Sequence, residues 1–143
     1  MKAGEARTWL RLAAEWVRHH TGSLVATAVD FGAMIGLVEL LGIGPVAATA
    51  AGATAGAWTN FTLERAWVFP GAAGGAVGQA VRYALVAIAS LALNSGGEHV
   101  LVQGGLGYVK ARVIVAVVVS NLWNYPLHKF FVFRNAKPEA SAP

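Results

Sequence analysis

Residues 60–69 read NFTLERAWVF, and residues 124–133 read NYPLHKFFVF. The two stretches share the pattern Asn-aromatic-x-Leu-x-cation-x-aromatic-Val-Phe, and each position of the second lies 64 residues after its counterpart in the first. The same offset carries Asp30 onto Asn94 without a gap. In a chain this apolar, such a repeat predicts two copies of one helical hairpin that crosses a membrane.

The composition favours a membrane protein over a soluble domain. Of the 143 residues, 56% are hydrophobic and 13% are charged, and the mean hydropathy is +0.54. Soluble domains are about 45–50% apolar and about 25% charged. A soluble fold of this size could not bury so much apolar surface, so lipid is the expected solvent. The chain has no cysteine, which excludes disulfides, thiol chemistry and cysteine metal sites.

Four stretches are long enough to cross a bilayer, which takes about 20 mostly apolar residues. They are roughly residues 22–41, 45–63, 79–102 and 107–127. The connections after the first and third stretches are short, which predicts antiparallel hairpins, and residues 64–78 form the only long linker. We therefore predict an all-α membrane protein with a four-helix transmembrane domain over residues 22–135. Its two parallel repeats cover residues 22–69 and 79–134.

The first 21 residues carry a basic amphipathic pattern. Apolar side chains fall on one helical stripe, away from the arginines: Trp9, Leu12, Ala13, Trp16 and Val17. This pattern predicts an interfacial helix over residues 1–21 that lies at the membrane surface, and a helix that docks a partner is the alternative. The segment lacks the short apolar core and cleavage site of a signal peptide. Residues 136–143 are predicted to be a disordered tail.

Lysine and arginine are distributed unevenly between the two predicted sides of the membrane. Nine of the eleven flank one side, and only Lys110 and Arg112 flank the other. The positive-inside rule assigns the richer side to the cytoplasm. We therefore predict a multi-pass protein of the cytoplasmic (inner) membrane with both termini cytoplasmic. No RNA- or DNA-binding pattern accompanies the basic residues, so membrane lipid is the expected anionic partner and nucleic acid is not.

Several polar residues fall at membrane depth, where ionisable groups are costly and usually functional. Asp30 lies about 12 Å into the first span, and its counterpart Asn94 suggests a hydrogen-bonded pair. Two roles remain open for Asp30: contact between helices, or handling of substrate or protons. Glu98 and His99 lie in the third span. No second histidine or cysteine stands at ligand spacing from His99, so no metal site is predicted.

The two repeated stretches, residues 60–69 and 124–133, are called the closing motifs below. Each closing motif places a cation five residues after an asparagine, near the cytoplasmic end of a span. The pairs are Asn60 with Arg65 and Asn124 with Lys129. Two such cations suit a phosphate group, with arginine offering a two-pronged donor and lysine a point charge. The alternative is a positive-inside anchor followed by an aromatic belt. That alternative accounts for the cations and aromatic residues, but poorly for asparagines at identical spacing.

Small residues recur at four-residue spacing in the first two spans. Gly32-x-x-x-Gly36 and Gly52-x-x-x-Gly56 would each allow a neighbouring helix to approach closely. The sequence leaves open whether these faces pack the repeats together or form a homodimer.

The motifs together resemble the GtrA-like family of small four-span membrane proteins. The resemblance covers about residues 23–134 and rests on Asp30-Phe31-Gly32, on Arg82-Tyr83 and on the two closing motifs. It implies a role in cell-surface polysaccharide synthesis. Family members are implicated in moving polyprenyl-phosphate-linked sugars across the cytoplasmic membrane, as flippases, or in assisting the glycosyltransferases that use them. The positions that match the family's recurring residues are Asp30, Asn60, Arg65, Asn124 and Lys129.

The leading interpretation is translocation of a polyprenyl-phosphate-linked sugar. The phosphate would bind Arg65 and Lys129, oriented by the two motif asparagines, and the sugar would pass a polar seam at membrane depth. The predicted substrate-binding residues are Asp30, Asn60, Arg65, Asn94, Glu98, Asn124 and Lys129. We find no catalytic constellation and expect no enzyme activity and no cofactor. Two alternatives remain: an accessory subunit of a membrane glycosyltransferase, and a small proton-coupled cation exporter similar to the small multidrug resistance proteins.

Overall fold

A computed structural model describes residues 3–72 and 74–134. These ranges are helical, with short connections and without β-strands, which confirms the all-α prediction for them. The four main helices are α1 (Ala3–Glu39), α2 (Pro45–Leu63), α3 (Ala76–Gln103) and α4 (Tyr108–Val119). A π-helical turn, π1 (Glu64–Val68), continues α2. Three short segments continue α4: π2 (Ser120–Asn124), α5 (Tyr125–Leu127) and π3 (His128–Val132). The predicted tail, residues 136–143, lies outside the described residues.

The chain divides into two compact units, with the boundary between Gly71 and Ala72. In the first unit, α1 packs along α2 and π1. In the second unit, α3 packs along α4, π2 and π3. In both units the two partners run antiparallel. In the first unit Gly22 faces Leu63 and Asp30 faces Gly52; in the second unit Arg82 contacts Val132 and Gly97 faces Val115. The linker is shorter than predicted, since residues 64–68 belong to π1.

Helix α1 is a single helix of 37 residues, about 55 Å long at 1.5 Å per residue. It joins the predicted interfacial segment to the predicted first span, and there is no helix boundary at residue 21. From residue 4 to residue 17 most side chains are exposed, including Trp9 at 64% and Trp16 at 43%. The position of this segment at a membrane surface remains a prediction.

Two helices in the described ranges have the length and composition to cross a membrane. They are Gly4–Glu39 and Ala76–Gln103. Only 11% and 17% of the residues in their apolar windows are buried inside the structure, whereas apolar helices in the core of a soluble protein are mostly buried. Their exposed apolar surfaces fit a lipid environment. Helix α2 has 19 residues, many of them alanine and glycine, and is less apolar.

Each of the two tight connections contains a glycine in the left-handed region of backbone conformation. Gly42, after α1, has a φ of 64°, and Gly105, after α3, has a φ of 90°. The Gly42 N–H donates to the Val38 carbonyl at 3.1 Å, and the Leu106 N–H donates to the Leu101 carbonyl at 3.0 Å. Glycine adopts this conformation at little steric cost. The hydrogen bonds satisfy helix-end carbonyls, so each connection closes within a few residues.

The repeated closing motifs form the same unusual backbone. The Phe69 N–H donates to the Glu64 carbonyl at 2.7 Å, and the Phe133 N–H donates to the His128 carbonyl at 2.8 Å. Both bonds join residues five apart, which is the spacing of a π-helix. Both phenylalanines are buried. The sequence repeat is therefore also a repeat of backbone geometry.

Candidate functional site

A buried polar cluster lies at the start of the first unit's closing motif. His19 Nδ1 is 2.8 Å from Glu64 Oε1, and the two side chains are 1% and 0% exposed. The Asn60 amide nitrogen donates to the same Glu64 oxygen at 3.4 Å. Burying a carboxylate is costly without a partner, and the imidazole and the amide supply that partner. Asn60, a predicted site residue, therefore helps to hold Glu64.

The second unit has a related arrangement with different side chains. The rings of Tyr83 and His128 lie 5.0 Å apart between centroids, and these residues are 64 positions after His19 and Glu64. The Ser90 hydroxyl donates a hydrogen bond to Asn124 Oδ1. The Asn94 amide donates to the Ser90 carbonyl at 2.8 Å. The structure thus brings two predicted site residues, Asn94 and Asn124, together through Ser90.

The two predicted phosphate-binding cations occupy equivalent positions in the two units. Arg65 follows Glu64 in π1, and Lys129 follows His128 in π3; both side chains are half-buried. The Lys129 ammonium lies 5.7 Å from the Tyr125 ring centroid and 5.8 Å from that of Phe130. These distances allow cation–π attraction, which orients the ammonium without removing its charge.

Arg82 holds the end of the second closing motif. Its guanidinium donates to the Val132 carbonyl through Nη2 at 3.1 Å and through Nε at 3.4 Å. A helix leaves its last carbonyls without intrahelical partners, and the arginine fork satisfies one of them. Arg82-Tyr83, part of the family resemblance, therefore fixes the motif from α3: Arg82 binds its backbone and Tyr83 contacts a side chain.

Asp30 lies at a close contact between α1 and α2. A Cβ built on Gly52 would be 2.6 Å from the Asp30 carbonyl oxygen and 2.9 Å from Asp30 Oδ1. A Cβ built on Gly56 would be 2.8 Å from Asp30 Cβ. Gly52 and Gly56 therefore let α2 approach Asp30 within the first unit. By contrast, a Cβ on Gly32 or Gly36 would meet nothing within 4 Å.

Glu98 lies toward the opposite end of the second unit from the closing motif. Its Oε2 is 3.3 Å from Arg112 Nη1, and the side chains are 27% and 73% exposed. Along α3, Glu98 is about 22 Å from Tyr83 at 1.5 Å per residue. Glu98 and Lys129 are therefore at different levels of this unit. His99 is exposed.

Sequence reasoning missed the contribution of His19 and Tyr83. His19 falls within residues 1–21, which were predicted to form an interfacial helix, yet it is among the most buried side chains of the described residues. The repeat offset held a usable signal, because it aligns His19 with Tyr83 and Glu64 with His128. Both positions change residue type between the copies, and in each unit the two residues are in contact.

Comparison with known families identifies the class of protein. Residues 20–133 match the family described as "GtrA/DPMS, transmembrane domain". The match covers most of the chain, so the protein belongs to this family, as the resemblance in its motifs suggested. It is a membrane protein of a family associated with polysaccharide and glycolipid synthesis. A comparison with curated proteins gave no match.

Proposed function

We propose that the protein moves a polyprenyl-phosphate-linked sugar across the cytoplasmic membrane. The observation that carries the proposal is the duplicated closing motif, in which a π turn places Arg65 in one unit and Lys129 in the other at equivalent positions. Each copy of the motif therefore offers one cation to an anionic lipid headgroup. The family match to a domain of glycolipid and polysaccharide synthesis supports this class of substrate.

The closing motifs are built to hold their cations in defined positions. In the first unit, the buried Glu64 is fixed by His19 and Asn60, and Arg65 is the next residue. In the second unit, Arg82 holds the Val132 carbonyl, and Lys129 lies beside the Tyr125 ring. A preorganised cation loses little conformational entropy when it binds phosphate. This supports binding of a headgroup rather than a loose attraction to any anionic surface.

The proposal includes four membrane crossings, with both termini and the linker between the units on the cytoplasmic side. Helices α1 and α3 have the required length and composition. Helix α2 has 19 residues, and helical backbone continues from Tyr108 to Val132; both are close to the length of a crossing. The distribution of lysine and arginine supports the orientation. In this arrangement Arg65 and Lys129 face the compartment in which lipid-linked sugars are made.

Reconstituted vesicles test the proposal. Fluorescent polyprenyl-phosphoryl hexose would be placed in the vesicles, and its movement between leaflets would be measured by quenching from outside. We expect Arg65→Ala and Lys129→Ala each to slow movement by about ten- to a hundredfold, because a charge-assisted contact to phosphate contributes about 1.5–3 kcal/mol. Lys110→Ala, which removes an exposed cation from the other end of the second unit, is the matched control.

The outcomes of this experiment are distinct. Unchanged movement in the double variant Arg65→Ala, Lys129→Ala would overturn the proposed phosphate site. Movement that occurs only when a glycosyltransferase is reconstituted alongside would favour the accessory-subunit alternative.

One observation favours that alternative. The start of α1 carries exposed Trp9 and Trp16 and continues the helix beyond the level of the His19–Glu64 contact. A straight continuation of a membrane helix leaves the bilayer along its own axis. Trp9 would then lie about 15 Å from His19 along that axis, where a cytoplasmic protein could contact it. As an accessory subunit, the protein would use this segment to hold a glycosyltransferase at the membrane.

A further inference from the structure

The acidic side chains within the two units differ in whether they have partners. Glu64 is paired with His19, and Glu98 is paired with Arg112. Asp30, half-buried at mid-length of α1, forms no hydrogen bond or ion pair with residues 3–72 or 74–134. It lies about 16 Å along the helix from His19 and about 13 Å from Glu39. An ionised carboxylate at this depth requires a favourable partner, because its desolvation is costly.

The position of Asp30 is fixed by its surroundings. The close approach of Gly52 and Gly56 holds its backbone against α2, with Oδ1 directed toward the space that a Cβ on Gly52 would fill. Any larger residue at position 52 would occupy the space next to the carboxylate. Glycine at position 52 therefore lets α2 pack directly against the carboxylate, while Asp30 as a residue remains partly exposed.

The second unit shows that a neutral group is sufficient for packing at this position. The counterpart of Asp30 is Asn94, whose amide is satisfied by the Ser90 carbonyl of its own helix. A neutral sugar hydroxyl could be bound by an asparagine as readily as by an aspartate. A full negative charge adds affinity chiefly for a cation. The difference between the two units therefore points to a positively charged ligand at Asp30.

We propose that Asp30 binds a protonated amine on the sugar, so that the preferred substrate is a polyprenyl-phosphate-linked amino sugar whose amine is free. This inference rests on the proposed translocation function. Arg65 directly follows Glu64, which contacts His19, whereas Asp30 lies about 16 Å from His19 along α1. A single sugar cannot span that distance. The phosphate and amine contacts are therefore made in succession, and Asp30 acts while the headgroup crosses.

Two lipids that differ in one group test this proposal. Vesicles would carry polyprenyl-phosphoryl hexose or the same lipid with one hydroxyl replaced by a free amine. We expect wild-type protein to move the amine form about tenfold faster, from one charge-assisted contact. Asp30→Asn should reduce that ratio to about one, whereas Asp30→Glu, which keeps the charge, should retain part of it. Glu39→Gln removes an exposed acid from the same helix and should leave the ratio unchanged.

A binding measurement separates failure of this inference from failure of the proposed function. The shift in melting temperature would be compared for octyl glucoside and octyl 2-amino-2-deoxyglucoside, with wild-type protein and with Asp30→Asn. A larger shift with the amine, lost in Asp30→Asn, supports the amine site even if no lipid moves, in which case only translocation is overturned. Equal shifts in wild type, or a preference that survives in Asp30→Asn, overturn the amine site whatever the transport result.

Discussion

The carboxylate of Glu64 is fully buried against the imidazole of His19 and the amide of Asn60. Such a cluster contributes to stability only while all its members are present. Removing one partner leaves a buried polar group uncompensated, and this loss is larger than the net stabilisation from the intact pair. Glu64 is thus a structural residue that fixes the backbone preceding Arg65.

We expect Glu64→Ala to lower the free energy of unfolding by about 3–5 kcal/mol, because it removes the buried carboxylate that His19 and Asn60 contact. Glu64→Gln keeps an oxygen at the same place and should cost about 1–2 kcal/mol. The measurement is thermal unfolding in one detergent, followed by circular dichroism. Glu39→Ala, at an exposed acid of α1, should change stability little. Equal losses for Glu64→Ala and Glu64→Gln would contradict a role for the buried polar contacts of Glu64.

Individual residues also show where sequence reasoning reached its limit. The motif residues Asn60 and Asn124 were found from spacing alone, but their partners Glu64 and Ser90 depend on how helices face each other. Hydropathy separates His19 from the first span because histidine is polar. In the structure α1 runs through His19, whose imidazole is buried against Glu64. The pattern of residue types along the chain does not show which side chains of different helices pack against each other.

At the scale of helices, the first unit is organised around the contact of α1 with the glycine face of α2. The sequence left open whether Gly52 and Gly56 pack the repeats or form a dimer. They pack α2 against Asp30 and Ala26 within their own unit, where a Cβ on Gly56 would be 2.9 Å from the Ala26 carbonyl. The similar pair Gly32 and Gly36 on α1 meets no such contact. Spacing alone could not distinguish the two pairs.

Alanine substitution should separate these two glycine pairs. Gly52→Ala and Gly56→Ala force backbone to move, and we expect each to destabilise the protein by about 1–3 kcal/mol. Gly32→Ala and Gly36→Ala place a methyl group in open space in a helix, and each should be neutral or stabilise by up to about 1 kcal/mol. Melting temperatures of the four variants in one detergent give the comparison. Destabilisation by Gly32→Ala as large as that by Gly52→Ala would contradict the packing described for α1 and α2.

The helix bounds show which predictions from composition were reliable. The predicted second span, residues 45–63, has the right start, since α2 begins at Pro45, but helical backbone continues beyond Leu63 to Val68 through π1. Gly44 and Pro45 mark its start, so the residue types at this boundary are enough to predict where the helix begins. The fourth span was predicted to end at residue 127, yet helical backbone continues to Val132 through π3. Periodicity cannot anticipate a π turn, because its wider spacing depends on the residues that pack against it.

For the whole molecule, charge distribution and the two-unit organisation lead to one prediction about orientation. The linker between the units and both ends of the chain should face the cytoplasm, and the connection after α3 should face outward. Because the chain has no cysteine, single cysteines report orientation without background. Gly75 and Gly104 are exposed and have φ values of −68° and −74°, so each accepts a side chain.

We expect a membrane-impermeant maleimide to label Gly104→Cys in intact cells and to label Gly75→Cys only after the membrane is opened. The physical reason is the lysine and arginine excess on the linker side, which resists translocation. Labelling is measured by a mass shift of the purified protein. Labelling of both positions in intact cells would indicate dual orientation, and the reverse pattern would overturn the proposed topology.

The π turn shared by the two closing motifs also bears on the history of the chain. A π turn uses one more residue than the α-helical turn it replaces, and both copies contain it at positions separated by the same 64 residues. The simplest account is that the extra residue was already present in a single ancestral hairpin before its gene was duplicated. By contrast, π2 has an α-helical counterpart in the first unit, so it marks divergence after that event. An ancestor with a single hairpin would have carried one such cation, and the present difference between Arg65 and Lys129 would be a later specialisation of the two copies.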